Sequence, residues 1–396
     1  MKLIVLVNQN LNKTNLKRFD LNLNKQTKLK KKFWSILPLT NKKLFLEYEK
    51  SIYRPKKNKN FIYLKNYFLL FKKIQQVKKN TLFLNLSGDF VNSIIIEFIM
   101  KLKGCIILKK IEWYNYVNQK KSILKRIGRL YKIGFFFMFK KIGKSAFQLL
   151  KNCFLRTFTF EPNFYIVENQ EKATELEKKG IKNLIKVNSF TYSEFHKVRS
   201  YKKPQNYFVF LDSEIENSFE SKILNNKHNS IIHDTYWKCL DEIFDKLSKK
   251  FKMNVKVAAH FRRGDNNCPI NKDFYFDQTL NLIKNSNFVV VQNSSTIDWA
   301  ILLKKPILLL NFEIFDRIAL ENSDSIEFYR EKLFLEVVNI DLNYKYEINW
   351  GRMNKILKIN KNKFKQFSEF HLNYKNNSFN HLNQWEMIYN YFKKNL

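Results

Sequence analysis

The chain has 396 residues, of which 45% are hydrophobic, and a net charge of +37 from 72 Lys and Arg against 35 Asp and Glu. This apolar content excludes a disordered chain, and the length favours two domains. Four scattered cysteines, Cys105, Cys153, Cys239 and Cys268, and six histidines without metal-ligand spacing exclude a disulfide framework and a structural zinc site. Isolated thiols fit a reducing, cytoplasmic compartment. The charge alone would suggest nucleic acid or an anionic membrane as partner. With only 8 Gly and 6 Pro, and with Lys, Asn, Ile and Phe abundant, the composition has the bias of an AT-rich genome. Nucleic-acid binding is therefore kept as the alternative reading, not the first.

In chain order, Leu3 to Val7 reads as a buried strand, too short for a signal-peptide core. Residues 9–60 are rich in Lys and Asn and carry little pattern. Lys65 to Lys79 has helical spacing, Thr81 to Leu86 is a strand, and Ser87-Gly88-Asp89 is a turn. Val91 to Leu102 is an apolar helix stopped at Gly104, and Cys105 to Leu108 is the next strand. This βαβ unit implies parallel pairing. From Val117 to Phe160 there are eleven Lys and Arg, no Asp or Glu, and many interleaved aromatic and aliphatic residues. Such a basic amphipathic segment fits a helix lying on an anionic membrane surface, and equally a packed helical pair with a solvated basic face. No apolar run of about 18 residues predicts a membrane span.

Phe164 to Val167, Asn169 to Lys179 and Leu184 to Val187 repeat the strand–helix–strand grammar, with Gly180 as the helix stop. Polar Tyr192 to Asn206 marks the domain boundary. Tyr207 to Leu211 opens the second half as a strand, ending in Asp212-Ser213-Glu214, which reads as a turn. Tyr236 to Phe251 is an amphipathic helix with Leu240, Ile243, Phe244, Leu247 and Phe251 on one stripe. Phe379 to Phe392 reads as a C-terminal helix. The expectation is an α/β protein of two Rossmann-like domains facing a cleft: residues 1–200, with a basic insertion at about 113–160, and residues 201–376. Residues 377–396 form a helix that could pack back on the first domain.

The stretch Val255 to Asn311 carries the candidate chemistry. An apolar strand ends in His260-Phe261-Arg262-Arg263-Gly264-Asp265. The strand Phe288 to Val291 ends in Asn293-Ser294-Ser295-Thr296 and opens a helix at Ile297; Ile307 to Leu310 is the following strand. Hydroxyls and backbone N–H groups at a helix start, with arginines and a histidine on a neighbouring strand end, are suited to a phosphate. The expected nucleotide-binding residues are His260, Arg262, Arg263, Asn293, Ser294, Ser295 and Thr296. Asp298 belongs to the first helical turn as a dipole partner. Asp89 and Glu112, each after a strand of the first half, are the candidate general bases; a turn or helix-cap role competes for each.

These motifs resemble the nucleotide-binding half of GT-B glycosyltransferases. Val257-Ala258-Ala259-His260-Phe261-Arg262, Leu282 to Val290, Asn293-Ser294-Ser295-Thr296, Ala300 and Lys305-Pro306-Ile307 resemble enzymes of bacterial surface polysaccharide (capsule and lipopolysaccharide) biosynthesis, including sialyltransferase-like proteins. His260 to Asp265 also resembles the HxRRGD motif of inverting fucosyltransferases. The first resemblance implies that His260 contacts the nucleotide and Ser294 to Thr296 its phosphate. It further implies a nucleotide-sugar donor as substrate, a glycan or lipid-linked acceptor, no cofactor and no metal, in a cytoplasmic or membrane-peripheral enzyme. The family has a Pro where this chain has Phe261, and its acidic acid/base motif has no match beyond Glu112. A polyol-phosphate transferase of related architecture is the other alternative.

Overall fold

The computed structural model describes all residues except 12–14, 16–17, 22–28, 51–57, 89–90, 112–160, 198–203, 215–229, 261–268, 318–320, 357, 373–381 and 396. The chain forms two compact units. The first comprises, among described residues, 1–111, 161–190 and 382–395; the second spans 191–372. The basic insertion at 113–160 lies outside the described residues.

The first unit is a seven-stranded, fully parallel sheet of β1 (Lys2–Val7), β2 (Lys30–Ser35), β3 (Phe61–Tyr63), β4 (Leu82–Asn85), β5 (Ile106–Ile111), β6 (Phe164–Val167) and β7 (Leu184–Lys186). The strand order is β3-β2-β1-β4-β5-β6-β7. Its helices include α1 (Lys42–Lys50), α2 (Tyr67–Gln75), α3 (Val91–Leu102) and α4 (Gln170–Lys178). Leu3 to Val7 are at most 1% exposed, as a central parallel strand covered on both faces requires. The two helix stops are left-handed glycines, Gly104 at φ +72° and Gly180 at φ +80°.

The second unit is a six-stranded parallel sheet of β8 (Tyr207–Leu211), β9 (Asn254–Ala258), β10 (Asp273–Tyr275), β11 (Val289–Val291), β12 (Ile307–Phe312) and β13 (Glu336–Ile340), in the order β10-β9-β8-β11-β12-β13. Helices here include α5 (Phe190–Lys197), α6 (Ser230–Phe251), α7 (Thr279–Asn285), α8 (Ile297–Leu302) and α9 (Glu321–Leu333). The segment read as a polar linker thus begins as helix α5, with Tyr192 and Ser193 buried. The expected stripe on α6 is the core. Leu240, Ile243, Phe244 and Leu247 are fully buried against Phe208, Phe210 and Val290 of the sheet. Each such side chain contributes roughly 1.5–3 kcal/mol on burial. A C-terminal helix, α10 (Gln384–Asn395), belongs to the first unit. Trp385, Ile388 and Phe392 join Leu3, Val5 and Phe33 in one core cluster. The Trp385 indole meets Phe33 edge-on at 5.8 Å and donates to Arg18 O at 3.1 Å.

In each sheet the strand order reverses once: between β1 and β4 in the first, and between β8 and β11 in the second. At such a switch point the connections leave in opposite directions and open a crevice at the carboxyl ends of the two strands, where open α/β sheets bind ligands.

Candidate functional site

The second switch point is lined by the residues that end β8, β9 and β11. Leu211 is registered with Ala258 on one side and Val291 on the other. Asp212, His260 and Gln292 therefore emerge from three adjacent strands. Asp212 is 4% exposed and holds the edge together. Its Oδ1 accepts from Glu214 N at 2.9 Å, and its Oδ2 accepts from His260 N at 3.0 Å. The first contact is an Asx turn, which bends the chain back after β8. Glu214 then sits in the left-handed region, φ +53°, strained for a residue with a Cβ.

That conformation accompanies a specific contact. The Glu214 side chain is 3% exposed, and its Oε2 lies 3.1 Å from Nδ1 of the half-buried His260 ring. An ionised Glu214 can only accept, so the contact favours the tautomer with the proton on Nδ1 and leaves Nε2 on the ring edge away from Glu214. The turn at Asp212 to Glu214 is thus more than a turn: it holds the backbone of His260 and places a carboxylate against its ring. The signal in the sequence was an acidic pair ending the strand that neighbours the His260 strand.

On the β11 side, Gln292 is 2% exposed; its Oε1 accepts from the Tyr236 hydroxyl at 2.8 Å, while its Nε2 is buried without a hydrogen-bond partner. Ser213 Oγ is also buried and unpartnered. Past Asn293, the Ser-Ser-Thr motif folds on itself. Ser294 Oγ lies 2.8 Å from Thr296 Oγ1, Ile297 N donates to Ser294 O at 3.1 Å, and Ser295 is exposed. Thr296 is the residue before α8, with helical angles and no side-chain cap. Trp299 of α8 donates its indole N–H to Thr191 O at 3.0 Å, and Asp298 accepts from the Tyr329 hydroxyl at 3.4 Å. The structure brings His260 and Asn293 to Thr296 to the same sheet edge. Arg262 and Arg263 lie outside the described residues.

The first switch point has a different chemistry. At the end of β4, Asn85 donates to Glu97 Oε2 at 2.9 Å and accepts from Ser87 N at 3.0 Å and Ser87 Oγ at 2.6 Å. Gly88 follows at φ +83°, its carbonyl accepting from Ser93 Oγ at 2.6 Å. At the end of β1, Asn8 accepts from Thr40 Oγ1 at 2.6 Å. Amides and hydroxyls dominate, with Glu97 a carboxylate that sequence reasoning did not single out. Asp89 and Glu112 lie outside the described residues. Among the described residues no group of three or more His, Cys, Asp or Glu is placed to hold a metal, and no helix is long and apolar enough to cross a membrane.

No protein-family model and no curated protein sequence matches the chain. Solved structures do. The calicheamicin glycosyltransferase CalG4 matches over 93% of each chain with a TM-score of 0.50 and 8% identity. The fold is of the GT-B type. Further matches are the UDP-GlcNAc 2-epimerase from Methanocaldococcus jannaschii, with a TM-score of 0.43 and 11% identity over 100% of both chains, and S. aureus MnaA with UDP. The latter has a TM-score of 0.48 and 11% identity over 100% of this chain and 96% of that one. A shared fold does not fix an activity, so the chemistry must be read from the side chains.

Proposed function

We propose that the protein is a glycosyltransferase that binds a nucleotide-sugar at the carboxyl edge of β8, β9 and β11. It would pass the sugar to a glycan or lipid-linked acceptor in surface polysaccharide biosynthesis. The observation that supports this reading best is the buried Asp212–Glu214 pair, which orients His260 at the switch point beside Asn293 to Thr296. Buried carboxylates are costly to desolvate, and a pair of which one member holds the His260 backbone and the other its ring is suited to positioning.

In the proposed reaction the acceptor oxygen attacks the anomeric carbon, the bond from that carbon to the donor phosphate oxygen breaks, and the nucleotide leaves. The acceptor proton goes to a general base, for which Asp89 and Glu112 are the candidates. Charge accumulates on the leaving phosphate. His260 would meet it through Nε2, Arg262 and Arg263 follow in the chain, and Ser294 and Thr296 supply hydroxyls once a phosphate displaces their mutual contact. These groups would stabilise the leaving group without a metal.

A thermal-shift panel of UDP, GDP, CMP and CDP tests the reading. At about 100 times Kd the matching nucleotide adds about 2.7 kcal/mol, several degrees in Tm. His260→Ala and Ser294→Ala should remove the shift. No shift from any of the four nucleotides would refute the donor site, and an unchanged shift in His260→Ala would refute its assignment.

A further inference from the structure

Helices α2 and α3 follow β3 and β4 and so begin at the carboxyl edge of the first sheet. Asn66 caps α2, accepting from Leu69 N at 2.8 Å. Leu70 and Ile74 turn to the core, which leaves Tyr67, Phe68 and Phe71 exposed by 53%, 77% and 52%. On α3 the core takes Ser93, Ile96 and Met100, leaving Val91 and Ile95 exposed by 42% and 49%. The Tyr67 hydroxyl donates to Asn92 Oδ1 at 3.2 Å, so the two helix starts are adjacent. Single exposed apolar residues need no explanation, but five on two joined helix starts do.

We propose that this face of α2 and α3 rests on an anionic lipid bilayer, presenting the first sheet's carboxyl edge to a lipid-borne acceptor. The acceptor clause rests on the transferase reading; the bilayer contact stands on the exposed side chains alone. Charge selects the occupant. Lys72 and Lys73 follow Phe71 directly in α2, and the two helices together hold three lysines against one acidic residue, Glu97, which is bonded to Asn85. A second copy packed on the same face would set these lysines against themselves. The segment 113–160 would do the same, since its charges are all basic from Val117 to Phe160. Anionic headgroups above acyl chains satisfy both features: the rings enter the interface and the lysine stems reach the phosphates.

Flotation of the full chain with vesicles of phosphatidylcholine and about 30% phosphatidylglycerol, against phosphatidylcholine alone, tests this. The wild type is expected on anionic vesicles only. Phe68→Ser/Phe71→Ser and Lys72→Glu/Lys73→Glu should each lower the bound fraction roughly tenfold. Phe68→Trp emission should move to the blue on the same vesicles. A far-UV spectrum and the nucleotide thermal shift, which reads the second unit, check that each variant is folded and separate this proposal from the donor-site reading. The proposal is overturned if the wild type stays in solution, floats equally with neutral vesicles, or floats undiminished in Phe68→Ser/Phe71→Ser. It is also overturned if light scattering shows a wild-type dimer that this double variant dissolves.

Discussion

The two sheets reverse strand order in the same way, but the crevices that result are furnished differently. At the β8–β11 edge, Asp212 and Glu214 are buried and organise a histidine; at the β1–β4 edge, Asn8, Asn85, Ser87 and Thr40 form a neutral hydrogen-bonded edge with Glu97 behind it. Buried charge is costly unless it is used, whereas amides and hydroxyls can exchange partners with ligand hydroxyls at little cost. On the proposed function the first edge takes the phosphate-bearing donor and the second a hydroxyl-rich acceptor. A repeated fold thus provides two positions, and the side chains decide what each position binds.

The sharpest way to break this comparison is Asp212→Ala. It orphans the backbone N–H groups of Glu214 and His260 in a buried edge, at about 2–5 kcal/mol in urea unfolding, and should abolish nucleotide stabilisation. A loss under about 1 kcal/mol would mean that Asp212 does not hold the edge.

Lys305 sharpens the comparison from the opposite, amino edge of the second sheet, where buried charge serves structure. Its ammonium donates to Ser286 O at 2.6 Å, and burial lowers its pKa from 10.5 to about 8. Between these values the unfolded chain holds a proton that the folded chain lacks, so this group makes stability rise with pH from about 8 to about 10.5. Tyr207 and Cys239, both pushed up to about 12 by burial, act in the opposite sense at alkaline pH. The difference between wild type and Lys305→Met isolates the lysine. It should amount to about 1–3 kcal/mol across that window, with nucleotide binding unchanged at pH 7. Parallel curves for the two proteins would contradict the assignment.

The smallest effect is expected from Asn85→Ala, which leaves Ser87 N and Glu97 without their partner. About 1–2 kcal/mol should be lost, with the nucleotide shift intact. If that shift disappeared, the two edges would not be chemically separate.

Much of this was legible in the sequence because buried parallel strands are continuous apolar runs and their helices stop at glycine. The runs at Leu3, Leu82, Phe164, Tyr207, Val289 and Ile307 all became strands. The strand Lys30–Ser35 was not legible, because its lysines mask a strand whose Lys31 is buried in an ion pair with Asp20 at 2.8 Å. The edge strand β10 is three residues long and α7 seven, too short for either to show a period. His260 and the Ser-Ser-Thr turn could be named because polar residues at apolar strand ends stand out. The role of Glu214 could not, since it depends on a left-handed backbone and on β8 lying beside β9, a contact 46 residues apart in the chain.

In the proposed site Glu214 sets the tautomer of His260 so that Nε2 meets a nucleotide phosphate. The most direct test is a long-range ¹H–¹⁵N spectrum of histidine-labelled protein, assigned with His260→Ala and titrated with the stabilising nucleoside phosphate. The expected result is a protonated Nδ1 in the free protein, loss of that preference in Glu214→Ala, and movement of the His260 Nε2 resonance on titration. A free protein with the proton on Nε2, or a His260 signal unmoved at saturating nucleotide, would contradict it.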